Sequence, residues 1–190
     1  PDYVMVHSSV KLEFLNKIKT RIITLYGDDA SLSPHYGRIV NPAHHKRLTE
    51  LIDKDKVIAG GDSNLDTRYI APTVINNVLL SEAVMQEEIF GPILPVLDYD
   101  DISEVYSVIN QLPQHPLACY LFSANKKLQV HFTNTVQCGG MSINHCIMQV
   151  VNPNLPFGGI GQSGMGSYHG LHGFKQFSHA KSIFKAPTFL

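Results

Sequence analysis

The stretch ILPVLDYDDISEVYSVINQLPQHPLACYLF, residues 93–122, decides the fold class. Ile93–Leu97 is a short apolar run and reads as a strand. Asp101 is placed to cap a helix whose apolar stripe is Ile102, Val105, Ile109 and Leu112, with Pro113 stopping it. Leu117–Phe122 then reads as a continuous apolar strand. Strand, helix and strand within 30 residues is the repeating unit of a parallel sheet.

The same alternation continues in both directions. Downstream, Ala124–Phe132 reads as a helix and Met141–Ile143 as a strand. Upstream, Tyr3–Val6 is a strand candidate. Val10, Phe14, Ile18 and Ile22 recur every four residues, with Leu15 and Leu25 beside them, as in an amphipathic helix that Gly27 ends. Asn41 and Pro42 supply the cap and first turn of another helix, whose apolar side is Leu48, Leu51 and Ile52. Val57–Ala59 and Tyr69–Ile75 are β-branched-rich and flank a Gly60-Gly61-Asp62 turn, so both are predicted strands. The prediction is an α/β fold, a mostly parallel twisted sheet flanked by helices. The end differs. Seven of the 14 glycines fall between Gly158 and Gly173, followed by a short helix over Tyr168–Phe177 and a strand over Ser182–Lys185 that leaves the domain.

At 190 residues and 21.1 kDa the chain can bury a core of its own. Its 44% hydrophobic and 16% charged residues exclude a disordered or fibrous chain. A net charge of -1 gives no basic footprint for nucleic acid. No apolar run approaches the roughly 18 residues of a membrane span, and the start lacks the pattern of a signal peptide. Three cysteines without a C-x-x-C pair argue against a disulfide framework, and a reducing, cytoplasmic setting is expected. All 16 acids lie at or before Glu104, leaving that part at −6, while residues 105–190 carry five lysines and no acid. This reads as two faces of one domain or a surface for an acidic partner; chance and a buried second half would look the same.

Gly159-Ile-Gly161-Gln-Ser-Gly164 matches G-x-G-x-x-G, but a dinucleotide fingerprint needs a preceding strand, a following helix and an acid about 20 residues on. No acid comes after it, and only 26 residues remain. A tight loop bringing backbone close to a site accounts for it. Glu87-Glu88-Ile-Phe90-Gly-Pro92 is more informative. If neighbouring side chains alternate, one carboxylate faces solvent and the other faces a cleft alongside Phe90. A carboxylate can accept two hydrogen bonds from a sugar diol, and an aromatic ring can stack on a flat heterocycle. A helix-terminal acid pair with a core Phe is the plainer reading of the same residues. Cys119 lies in an apolar strand and reads as core. Cys138 and Cys146 flank a Gly-Gly turn. Either could be a hydrolase nucleophile only with a histidine in spatial contact, which the adjacency of His145 does not supply. His44-His45 and His169-x-x-His172 are weak metal candidates, and no metal is expected.

Met85-Gln-Glu-Glu-Ile-Phe-Gly-Pro-Ile-Leu-Pro-Val96 resembles a motif of the aldehyde dehydrogenase superfamily. Asn154-Leu-Pro-Phe-Gly-Gly-Ile-Gly-Gln-Ser-Gly-Met-Gly-Ser-Tyr-His-Gly170, with Phe174 and Phe177-Ser-His179, resembles the late active-site loop of the class 3 branch. That branch acts on aromatic and medium or long aliphatic aldehydes. The opening Pro1-Asp-Tyr-Val4 is similar to the segment just after the catalytic cysteine of that branch, and the resemblance runs over essentially the whole chain.

The resemblance implies a catalytic-domain fold over residues 1–177 and, over 178–190, an arm of a bridging sheet that makes homodimers. It implies NAD or NADP as cofactor and a small-molecule aldehyde as substrate. Glu88 would hold the nicotinamide ribose, and Phe90 would pack near the nicotinamide. Phe157 would line the aldehyde channel, with His169 near it. In the family a cysteine thiolate attacks the aldehyde, hydride passes to NAD(P), and water hydrolyses the thioester. Aligned this way, the nucleophile lies three residues before Pro1, with the general base, the oxyanion-hole Asn and the dinucleotide-binding domain further upstream. None of Cys119, Cys138 and Cys146 aligns with it, so no catalytic residue is expected within these 190 residues, which alone should be inactive. The alternative is a stand-alone binding or dimerisation module derived from the family.

Overall fold

Residues 1–112 and 115–188 are described by a computed structural model. They form two compact units, residues 1–113 and residues 114–190. The first unit runs β1 (Val4–His7), α1 (Ser8–Tyr26), α2 (Pro42–Glu50), β2 (Val57–Ala59), β3 (Ser63–Asn64), β4 (Tyr69–Ile70), β5 (Thr73–Asn76), β6 (Ile93–Tyr99) and α3 (Ile102–Gln111). Its main sheet has the order β1-β6-β5-β2. β6 pairs in parallel with both β1 and β5, and β2 closes the edge antiparallel to β5. Among the described residues, parallel pairing thus dominates the main sheet, as the alternation of strands and helices predicts.

The local signals act as expected. Gly27 closes α1 by donating its N–H to the Ile23 carbonyl at 2.8 Å. The Asn41 side chain accepts the His44 N–H at 2.8 Å, with Pro42 at the first helical position. Asp101 caps α3 in a full capping box, the Glu104 side chain accepting the Asp101 N–H in return. The expected stop at Pro113 lies outside the described residues. Two details differ from the sequence reading. On α1 the packed stripe is Leu15 with Phe14, Ile18 and Ile22, while Val10 and Leu25 stay about half exposed at 48% and 55%. The strand predicted over Tyr69–Ile75 is two strands: Ala71 and Pro72 interrupt it, so β4 pairs with β3 and β5 with β2. Proline has no N–H to give a ladder, and the chain changes partner at that point.

The core of this unit is Leu48, Ile70, Ile75, Ile89 and Ile93, each at most 2% exposed. It lies between α2 and the sheet and includes Ile89 of the Glu87–Pro92 segment.

The second unit runs β7 (Ala118–Leu121), α4 (Lys126–Thr135), β8 (Gly140–Ile143), α5 (Met148–Val151) and α6 (Gly170–Gln176). β7 and β8 pair in parallel with α4 as their crossover. Beyond α6, residues 178–188 are exposed and form neither helix nor strand. The strand expected over Ser182–Lys185 is therefore not formed. A strand needs a neighbour for its ladder, and no described residue offers one.

Candidate functional site

The Glu87–Pro92 segment links a 3-10 turn at Ala83–Met85 to β6. The expected alternation of the two acids is not seen, since Glu87 and Glu88 are both exposed; Ile89 is 1% exposed, and Phe90 is 74% exposed. Burying Ile89 in the core turns its two neighbours outward. Phe90 is therefore not a core residue, and the reading as a helix-terminal acid pair over a core Phe is set aside.

Side chains from elsewhere hold the segment. Arg47 of α2 donates from Nη1 to Glu87 Oε1 at 2.6 Å and from Nη2 to the Ile89 carbonyl. His44, one turn earlier, meets the Phe90 carbonyl through Nε2 at 2.9 Å. The Asp2 carboxylate accepts the Ile89 N–H at 2.9 Å. Burial pushes the Asp2 carboxyl above its usual range, and the Ile89 N–H pulls it back. Underneath, Gly91 lies so close to Leu48 that a Cβ there would stand 2.5 Å from a Leu48 methyl.

The two acids end in different states. Glu87 is ion-paired, whereas Glu88 makes no hydrogen bond or ion pair among the described residues. Phe90 takes a positive φ of 52°, which few non-glycine residues adopt. The segment thus offers solvent a carboxylate free to accept two hydroxyl hydrogens and a bare aromatic ring on a fixed backbone. These groups suit a ribose and a flat heterocycle such as those of NAD(P).

The second unit carries the other two expected residues. Phe157 and Tyr168 exchange backbone hydrogen bonds, each 2.9 Å, across an antiparallel bridge. The His169 ring stacks on Phe157 with centroids 5.5 Å apart and planes 22° off parallel. Tyr168 meets both rings edge-on. His169 has a φ of 89°, and its Nδ1 is buried without a hydrogen-bond partner. Gly158 makes this approach possible: a Cβ there would stand 2.1 Å from the Gly166 carbonyl oxygen. Within the 159–164 stretch, Gly161–Ser163 form a 3-10 turn whose Ser163 hydroxyl bonds both backbone groups of Ile160. No strand or helix flanks it in the manner of a dinucleotide fingerprint. Sequence reading thus named two pairs: Glu88 with Phe90 in the first unit, and Phe157 with His169, in ring contact, in the second.

Other candidates dissolve. Burial pushes the Cys119 thiol up to about 11 and raises that of Cys138, whose Sγ donates to the Gly140 carbonyl. His145 directs Nδ1 at the Cys146 carbonyl, not at a thiol. A cysteine hydrolase has no support in this arrangement. His44 and His45 each bond a different backbone carbonyl, so the pair does not converge on a metal. Among the described residues no group of three His, Cys, Asp or Glu could hold a metal ion, and no helix is long and apolar enough to cross a membrane. Arg47, His44 and Asp2 were not legible as site residues, because they lie about 40 and 87 positions from their partners.

Residues 1–183 match the model of the aldehyde dehydrogenase family. The chain is 46% identical to 4,4'-diaponeurosporen-aldehyde dehydrogenase of Staphylococcus aureus over 98% of its length and 41% of that protein. It is 43% identical to a mouse aldehyde dehydrogenase named dimeric and NADP-preferring, over 96% of this chain and 40% of that one. Among solved structures, a substrate-bound Staphylococcus aureus AldH superposes with a TM-score of 0.94 at 44% identity, covering 100% of this chain and 42% of that one. An indole-3-acetaldehyde dehydrogenase complexed with NAD+ gives 0.83 at 26% identity, covering 96% and 38%. The chain spans about two fifths of the length of these relatives.

Proposed function

This chain belongs to the aldehyde dehydrogenase family, an oxidoreductase family that uses NAD(P), and we propose on that premise that it is part of the catalytic domain of a class 3 enzyme. The reaction is oxidation of an aldehyde to a carboxylic acid by a cysteine thioester route, in the cytoplasm. The thiol and the general base come from sequence outside these 190 residues, which alone are inactive. Residues 1–177 belong to the catalytic domain, and residues 178–190 form an arm for a homodimer sheet.

One observation carries this reading: Glu88 is an unpaired, exposed carboxylate on a backbone clamped from both sides, next to the bare ring of Phe90. When bound, NAD(P) would supply the hydride acceptor. Glu88 accepts hydrogen bonds from the nicotinamide ribose, and Phe90 packs beside the ring system. Phe157, stacked on His169, gives the aldehyde channel an aromatic wall, which selects among apolar aldehydes by shape.

The test is Glu88→Ala in the full-length enzyme. A hydrogen bond to a charged group is worth about 1.5–3 kcal/mol, so the cofactor KM should rise roughly tenfold or more while the aldehyde KM changes little. Unchanged cofactor kinetics would reject the assignment. Phe157→Ala should reorder aldehyde preference, and an equal loss across all aldehydes would reduce it to packing.

A second reading has its own support. Phe177, Ile183 and Phe184 are 89%, 79% and 92% exposed along an unpaired end, as expected of a stand-alone module that pairs with another chain. The native size in source cells separates the two: a band above twice 21.1 kDa favours the enzyme, and one at 21.1 kDa favours the module.

A further inference from the structure

The two adjacent acids Glu87 and Glu88 are chemically equivalent, yet the structure treats them differently, and the difference traces to α2. Arg47 spends all three of its nitrogens nearby: Nη1 on Glu87, Nη2 on the Ile89 carbonyl, and Nε on His44 Nδ1 at 3.3 Å. Arginine only donates and a backbone carbonyl only accepts. His44 must therefore accept at Nδ1 and donate from Nε2 to Phe90, which specifies one neutral tautomer. The pair grips the carbonyls on the C-terminal side of Glu88 and the carboxylate on its N-terminal side. Of the two carboxylates, Glu88 is the one left unheld. The bond from His44 also holds the Phe90 carbonyl where φ is 52°, a conformation that costs free energy without such support.

We propose that Arg47, braced by His44, is the positioning residue for the ribose grip. It draws Glu87 aside so that a single carboxylate meets the diol, and it fixes the backbone that turns Glu88 and Phe90 outward. This rests on the assignment of Glu88 to the ribose. Without the clamp, two neighbouring carboxylates would share one site on a mobile segment, and the like charges and lost order would both weaken binding.

The experiment uses the full-length enzyme with Arg47→Met, Arg47→Lys, His44→Ala, His44→Gln, Glu88→Gln, and the double variant Arg47→Met/Glu88→Gln. Two quantities are read: the Kd of NADH and NADPH by fluorescence titration, and hydrogen exchange of residues 87–91 without cofactor. Arg47→Met and His44→Ala should each weaken binding, Arg47→Met by roughly tenfold, and speed exchange in that segment. Arg47→Lys and His44→Gln, which keep part of the donor set, should recover part of both. The double variant should lose clearly less than the sum of the Arg47→Met and Glu88→Gln losses, because much of the clamp's effect passes through that carboxylate. A merely structural role would instead make the losses add. Should Glu88→Gln weaken binding while Arg47→Met and His44→Ala leave Kd and exchange unchanged, the clamp is overturned and the ribose assignment stands. If Glu88→Gln leaves Kd unchanged, the ribose assignment itself falls, and the clamp proposal with it. His44→Ala keeps the test open if Arg47→Met does not fold.

Discussion

Replacing Gly91 by alanine should destabilise the protein through one contact. Gly91 has an ordinary backbone conformation, so alanine brings no φ penalty there. Its new methyl would stand 2.5 and 2.6 Å from the two methyl carbons of Leu48. Carbon atoms pack at roughly 3.5–4.0 Å, so one side must yield by about 1 Å. Leu48 is 0% exposed and belongs to the cluster with Ile70, Ile75 and Ile89, and a close-packed interior leaves it little room. Overpacking of this kind costs about 1–3 kcal/mol. Leu48→Ala alone should cost about 2–5 kcal/mol through the cavity it leaves. In the double variant the alanine methyl enters that space. The combined loss should then fall short of the sum by about 1–3 kcal/mol. Equilibrium urea unfolding monitored by circular dichroism measures all three. Additive losses, or a Gly91→Ala cost within about 0.5 kcal/mol, would refute the packing argument. Because Gly91 adjoins Phe90, the same variant should also weaken cofactor binding in the full-length enzyme.

Asp2 and Cys119 give two further expectations. Burial makes the Asp2 carboxyl hold its proton more tightly folded than unfolded. Its contribution to stability is therefore greatest below the unfolded value of about 3.9 and is lost as pH rises through the raised folded value. Asp2→Asn should remove that fall from the profile of urea midpoint against pH, and an unchanged profile would clear Asp2 as its source. The Cys119 thiol, pushed up to about 11, should react with iodoacetamide at neutral pH roughly 300-fold more slowly than free cysteine. Fast alkylation in the folded protein would show that solvent reaches the thiol and would reopen a nucleophilic role.

The helices were legible because their signals are local. Asn41 and Pro42 open α2, and Asp101 with Glu104 opens α3, each within four residues. The parallel strands were legible for a related reason: an apolar run between helices has only a buried sheet to enter. The break at Ala71 and Pro72 was hidden because Tyr69–Ile75 looks uniform, and only its two partner strands show that the chain changes sheet there. Ser182–Lys185 fails in the opposite way. Its residues suit a strand, but a strand is a property of a pair.

The candidate site divides along the same line. Residue types in Glu87–Pro92 were enough to point to an acid pair beside Phe90, whereas the choice of Glu88, and Phe157 and His169 altogether, came from the resemblance of two motifs to the aldehyde dehydrogenase family. Which of two neighbouring acids stays free was settled by Arg47, on a helix about 40 residues away. That Phe90 stands in solvent was settled by Ile89 filling the core below it. Local propensity acts over a few residues and can be read from order alone. Ion pairing and burial depend on which distant residues share a neighbourhood, and that is decided only when the chain packs.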